Sequence, residues 1–177
     1  MILFDNRVGA EVGSETLALL ESIAKFTMKS SKFNARNIEL LLVSNDEIRA
    51  LNAEFLGRDY ATDVLSFPLD SSGIIDSSRF ALEVRESNID SSDSHIDSPL
   101  DSPQMPLGSI VIAFGIADSV AKLQSHSLQI ELAILFTHGL LHLLGYDHEA
   151  DNGEHRKKER EILAHFGIES TLISRNA

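Results

Sequence analysis

Helical spacing and short continuous runs of apolar residues alternate along this chain. Apolar positions three to four residues apart predict a helix from Ser14, its N-cap, to about Lys29. The run from Ile38 to Val43, interrupted by one glutamate, predicts a buried strand, with a helix segment as the alternative that periodicity alone leaves open. Ser44 and Glu47 then form a capping box, so a second helix is expected to begin there.

The same alternation continues to the end of the chain. Further strands are predicted at residues 1–4, 62–68 and 108–113, and further helices at residues 115–123, 128–144 and 152–166. Strands interleaved with helices indicate an α/β fold. We therefore expect a small, mostly parallel sheet of about four strands, with residues 1–4 at an edge and about five helices packed on its faces.

The length of the chain predicts a single domain, and its charge distribution indicates one acidic insertion. The 177 residues fit one domain spanning 1–177, and the net charge is −12. Residues 70 to 106 hold eight acids and two bases, and the dipeptide Asp-Ser occurs four times between residues 90 and 102. This composition predicts an acidic, Asp/Ser-rich loop insertion at about 70–106. Because that segment carries half of the net charge, the remaining body is only mildly acidic, which weakens the electrostatic argument against a polyanionic partner.

The chain has no cysteine, which excludes disulfides and thiolate metal sites. Its first residues lack the basic start of a signal peptide, and no stretch approaches the ~20 apolar residues of a membrane span. A cytoplasmic protein is the expectation.

Three histidines stand in one short segment of otherwise apolar character. His138 and His142 are four residues apart, so they share one face of the predicted helix. Gly145 favours a helix end, after which the chain can reverse and return His148 to the first two. Three converging imidazoles with a fourth coordination position open are typical of a catalytic zinc site. In the alternative interpretation, the histidines only cap and line the end of a helix.

The histidine spacing equals that of the metzincin proteases. Those enzymes have a catalytic glutamate directly after the first histidine, where this chain has Gly139. They also have a methionine turn downstream of the third histidine, and all three methionines here lie upstream. The ligand spacing is therefore shared, but the peptidase base is missing.

The histidine motif and an earlier motif, Thr-Asp-Val-Leu-Ser-Phe at residues 62–67, together resemble the YbeY family of bacterial ribosomal-RNA maturation endoribonucleases. The resemblance runs from about residue 38 through residue 166. It implies one zinc ion held by His138, His142 and His148, with water at the fourth position. It also implies single-strand-specific cleavage of rRNA in small-subunit 3′ end maturation and ribosome quality control, with RNA and the ribosome or its small subunit as partners.

The chain departs from the family pattern at two positions. The family usually has an arginine, thought to hold RNA, where this chain has Leu56, and Arg58 is the nearest base that can replace it. The family tends to have Gly-Asp-Ile where this chain has Ser109 between the glycine and the isoleucine, which removes a carboxylate. Asp147, directly before His148, is the carboxylate nearest in sequence to the ligands. Its role is either to accept a proton or, alternatively, to accept a ligand's free N–H or cap the turn.

Other residues have open interpretations. Thr62, Asp63 and Ser66 either line the cleft or serve the local turn and strand. His155 and Glu159 can approach the metal only if the last helix packs beside the histidine helix. The cations of that helix either guide RNA or form a solvated face: Arg156, Lys157, Lys158 and Arg160. The histidines outside the motif are expected at the surface: His95, His126 and His165.

Two rival functions remain at this point. One is a zinc metallohydrolase that acts on peptides or small molecules. The other is a ribosome assembly factor whose zinc is mainly structural.

Overall fold

The computed structural model of the chain describes residues 1–29, 31, 36–69, 106–147 and 151–169. Its strands are β1 (Ile2–Asn6), β2 (Ile38–Val43), β3 (Val64–Pro68) and β4 (Gly108–Ala113). Its helices in this part of the chain are α1 (Ser14–Met28), α2 (Asn45–Leu56), α3 (Phe114–Leu123), α4 (Leu128–Leu143) and α5 (Glu154–His165). The predicted acidic insertion lies, except for its last residue, outside the described residues.

The four strands form one sheet in the order β1-β2-β4-β3. β1, β2 and β4 are parallel, and β3 is antiparallel to β4, with Ser66 opposite Ile110. The mostly parallel α/β architecture is thus confirmed, and β1 lies at an edge as predicted.

Both faces of the sheet are covered by helices. One face buries Leu40 and Ile110 together with apolar residues of α1, α4 and α5. The opposite face buries Leu41 and Val111 against Ile48 of α2. Because neighbouring residues of a strand point to opposite faces, the continuous apolar runs of β2 and β4 are explained by burial on both sides.

Helix α4 is the central helix of the first face, and 12 of its 16 residues are buried. It contacts α1, α3, α5, β3 and β4. Gly139 permits this close packing, since a Cβ atom there would lie 2.9 Å from both Ile110 Cγ2 and Ser66 Oγ. The position at which metzincins carry their catalytic glutamate is therefore pressed against the sheet in this protein.

Three local predictions need correction. Gly13, not Ser14, is the N-cap of α1, so the helix begins one residue earlier than the cap assignment implied. The Ser44 hydroxyl accepts the Glu47 amide as predicted, but the Glu47 carboxylate pairs with Arg7. His126 is half-buried rather than exposed, because its Nε2 lies 2.7 Å from Oε2 of the buried Glu131. Of the other two histidines expected at the surface, His165 is exposed and His95 lies outside the described residues.

None of the helices in the described ranges is long and apolar enough to cross a membrane.

Candidate metal centre

Two imidazoles meet on the side of α4 that faces α5. His138 and His142 lie one helical turn apart, and their Nε2 atoms are separated by 3.1 Å. Two nitrogens bound to one tetrahedral zinc ion, each about 2.0–2.1 Å from it, lie about 3.4 Å apart. The pair therefore needs little adjustment to share an ion.

The end of α4 follows the predicted turn. Gly145 has a φ of 90°, its N–H donates to the carbonyl of His142, and the Tyr146 N–H donates to that of Leu141. This is a Schellman motif, which satisfies the last carbonyls of a helix and favours glycine at the left-handed position. The glycine thus sets the helix end immediately after the second histidine.

Past this turn the chain reaches Asp147, whose side chain is exposed. The carbonyl of Asp147 accepts a hydrogen bond of 2.8 Å from the amide of Asp151. The three residues between them include His148 and lie outside the described residues. His148 as a ligand therefore stays a prediction.

A different histidine joins the pair in the described part of the chain. Helix α5 packs beside α4, which fulfils the condition set by the sequence for His155 to approach. His155 is completely buried, and its ring centroid lies 4.7 Å from the ring centroid of His138 and 4.8 Å from that of His142. One nitrogen from each of the three rings lies within 4.8 Å of the others, close enough to form a metal-binding group.

Asp151 fixes the start of the helix that carries His155. Its two carboxylate oxygens accept the amides of Gly153 and His155, both at 2.7 Å. The hydrogen bond from the His155 amide, reinforced by the one from Gly153, holds the pKa of Asp151 below its usual range. Sequence reasoning missed this residue, although an aspartate two residues before a glycine at a helix start is a typical turn signal.

Glu159 lies one turn after His155 on the buried side of α5 and has no exposed surface. Its Oε1 is 3.1 Å from Nδ1 of His138. Because a carboxylate only accepts hydrogen bonds, Nδ1 donates and the lone pair of His138 resides on Nε2, which faces His142. The carboxylate thus selects the tautomer that a metal ligand needs.

The donor set and its charge fit a divalent ion. The second oxygen of Glu159 has no hydrogen-bond partner among the described residues, and a buried carboxylate is costly without a positive charge nearby. A cation held by the adjacent imidazoles supplies that charge. Imidazole ligands suit zinc, copper, iron and nickel.

Three further predicted site residues lie in or just before β3. Thr62 and Asp63 serve a local turn, because the Thr62 hydroxyl and the Val64 amide both donate to Asp63 Oδ1. They precede Ser66, which faces Gly139 of α4, by three to four residues, or about 10 to 13 Å along an extended chain.

Arg58 and Leu56 are exposed around the end of α2, which covers the sheet face opposite to α4. Ser109 also points to that opposite face, where its hydroxyl donates to Glu39 Oε2 at 2.7 Å. The carboxylate that the family tends to have at position 109 would therefore lie across the sheet from the histidines.

Comparison with known proteins decides the family. The sequence profile described as Endoribonuclease YbeY matches residues 4–167. The chain belongs to the YbeY family. Among its relatives, the Endoribonuclease YbeY of Aliarcobacter butzleri is 42% identical over 177 residues and covers 100% of both chains. That of Nautilia profundicola is 40% identical over 176 residues, or 99% of each chain.

A solved structure supports the assignment of the fold. The solution structure of TM1509 from Thermotoga maritima is 25% identical and superposes with a TM-score of 0.52, covering 94% of this chain and 92% of that one. The YbeY resemblance read from the two sequence motifs is thus confirmed over nearly the whole chain.

Glu159→Gln is expected to weaken metal binding about 10- to 100-fold, because His138 loses the anionic acceptor that orients its ring. The metal-free variant should unfold no more easily than the metal-free wild type, since the change removes a buried charge. Metal titration and denaturant unfolding measure the two effects. The matched control is Glu161→Gln, an exposed glutamate two residues further on. Equal metal affinity in the two variants would contradict an orienting role for Glu159.

Proposed function

We propose that this YbeY-family protein is a zinc-dependent endoribonuclease that cleaves single-stranded regions of ribosomal RNA during maturation of the small-subunit 3′ end. The observation that carries the proposal is the meeting of His138 and His142 beside a buried carboxylate, in a chain whose relatives are named endoribonucleases. The proposed partners are RNA and the ribosome or its small subunit, and the proposed location is the cytoplasm.

In this proposal His138 and His142 supply two ligands, and His148 supplies the third, as the family motif implies. When bound, the ion provides Lewis-acid chemistry, since it lowers the pKa of water toward about 7 and polarises a phosphoryl oxygen. Glu159 holds the His138 ring in the ligating tautomer. Asp151 holds the backbone of His155, whose buried ring forms one wall of the site.

The chain supplies no general base at the position that metzincins use. Gly139 has no side chain, and the contact of α4 with Ile110 and Ser66 leaves no room for one. A peptidase mechanism is therefore not favoured. Asp147, exposed just after α4, is the carboxylate we propose either to accept a proton or to orient a ligand; Asp147→Asn with unaltered metal content and unaltered cleavage would remove both roles.

The test uses purified wild-type protein with a single-stranded oligoribonucleotide from the small-subunit rRNA 3′ region and, in parallel, a peptide library. Cleavage of RNA that stops on chelation and returns with zinc, with no peptide hydrolysis, is the expected result. Peptide hydrolysis without RNA cleavage would support the metallohydrolase alternative instead. RNA binding without metal-dependent cleavage would favour an assembly factor with structural zinc.

A further inference from the structure

Helix α5 has a buried side at the metal centre and a basic side in solvent. His155 and Glu159 face inward and are completely buried. Arg156 and Arg160 follow them directly in sequence, and both are exposed, as is Lys157. The two arginines are four residues apart, so they share a helix face and lie about 6 Å apart along the helix axis.

Within the described residues, the cations on this side differ from most of the others in their ion pairing. Most other cations in the described ranges have an acidic partner, as in the pairs Arg7–Glu47, Lys25–Glu21, Arg49–Asp59, Lys122–Asp118 and Lys158–Glu161. Within the described part of the chain, the structure records no ion pair for Arg156, Lys157 or Arg160. These three residues form what we name the α5 ridge.

The α5 ridge is a basic surface in a chain whose net charge is −12. With 27 acids and 15 bases, the protein repels a polyanion in general. The α5 ridge adds positive charge against this repulsion, on the same helix that supplies His155 and Glu159 to the metal centre. In sequence, each arginine directly follows a buried side chain of the histidine–carboxylate cluster. A helix face that serves only for solvation does not require this arrangement.

We propose that the α5 ridge binds the phosphates of the single-stranded RNA that flank the scissile bond. The proposal rests on the endoribonuclease function put forward above. Arginine suits this role because its planar guanidinium donates two parallel hydrogen bonds to a phosphate, and Lys157 adds a point charge between the two arginines along the helix. The ridge holds the strand and takes no part in bond breaking.

The test compares the double variant Arg156→Gln/Arg160→Gln with a control, Lys25→Gln/Lys122→Gln, which removes the same charge from α1 and α3. The substrate is a single-stranded oligoribonucleotide, cleaved by the zinc-loaded protein at several salt concentrations. The ridge variant should raise KM about tenfold with kcat within about twofold of wild type. Its slope of log(kcat/KM) against log salt should become shallower by about 1.4, or 0.7 for each lost phosphate contact. The control should match wild type.

The outcomes separate the two proposals. Absence of RNA cleavage by the wild-type protein would overturn the proposed function itself. Cleavage by the wild type, with the ridge variant equal to the control in KM and salt dependence, would overturn the ridge alone. Loss of bound zinc from the ridge variant would also overturn it, because the arginines would then act through the metal centre. Arg156→Lys/Arg160→Lys should recover most of the salt dependence, since both charges remain.

Discussion

His142→Ala is expected to release the metal ion and to lower kcat/KM for RNA cleavage by at least about 100-fold. The variant removes one of two Nε2 atoms that lie 3.1 Å apart, so the ion loses a ligand that the helix has already positioned. Metal analysis of the purified protein and initial cleavage rates measure the two losses. His165→Ala is the matched control, because His165 is exposed and stacks on Phe26 outside the cluster.

The same two measurements decide which histidine is the third ligand. The proposal predicts that His148→Ala loses zinc as His142→Ala does. His155→Ala is expected to keep one zinc per chain with weaker binding, because it removes a wall of the site. If His155→Ala loses the zinc and His148→Ala retains it, the ligand role passes to His155, which the structure places in the cluster.

Gly108→Ala is expected to destabilise the fold by about 3 kcal/mol, at the upper end of typical overpacking costs. An added Cβ would lie 2.4 Å from the carbonyl oxygen of Phe67, 2.7 Å from Leu143 Cδ2 and 3.0 Å from the Cα of Pro68. Two of these atoms are backbone of the paired strand β3, so the contact cannot be relieved by a side-chain rotation. The added methyl group therefore strains the contact between the paired strands β3 and β4 and the C-terminal end of α4.

Denaturant unfolding of the metal-free protein measures the loss of free energy of unfolding. In thermal unfolding of the same protein, the melting temperature should fall by about 10 °C. Gly115→Ala is the control. Its Cβ would lie 2.9 Å from Asn45 Oδ1, but that side chain is exposed and can rotate away, so a change within about 1 kcal/mol is expected. Similar stabilities of the two variants would contradict the tight packing at Gly108.

Local chemistry explains which parts of the fold were predictable. The runs of β2 and β4 are mostly apolar because both sheet faces are covered, and the helix end at Gly145 needs a left-handed residue. Both features are determined by a few neighbouring residues. Helix α1 differs by one residue at its cap, where Gly13 takes the position expected of Ser14.

Features that depend on packing between distant elements were not predictable to the same degree. His155 and Glu159 enter the site only because α5 lies against α4, which local periodicity does not specify. The absence of a side chain at Gly139 is visible in the sequence, but its reason, contact with Ile110 and Ser66, is a tertiary one. Likewise, the side of the sheet on which Ser109 lies follows from the register of β4 with its neighbours.

The most direct measurement of the central claim is the rate at which one preparation of the protein cleaves single-stranded RNA before chelation, after chelation and after zinc is returned. We predict cleavage, loss of cleavage and recovery, with one zinc per chain in the active states. Cleavage that continues at an unchanged rate in protein shown to contain no metal would contradict the account.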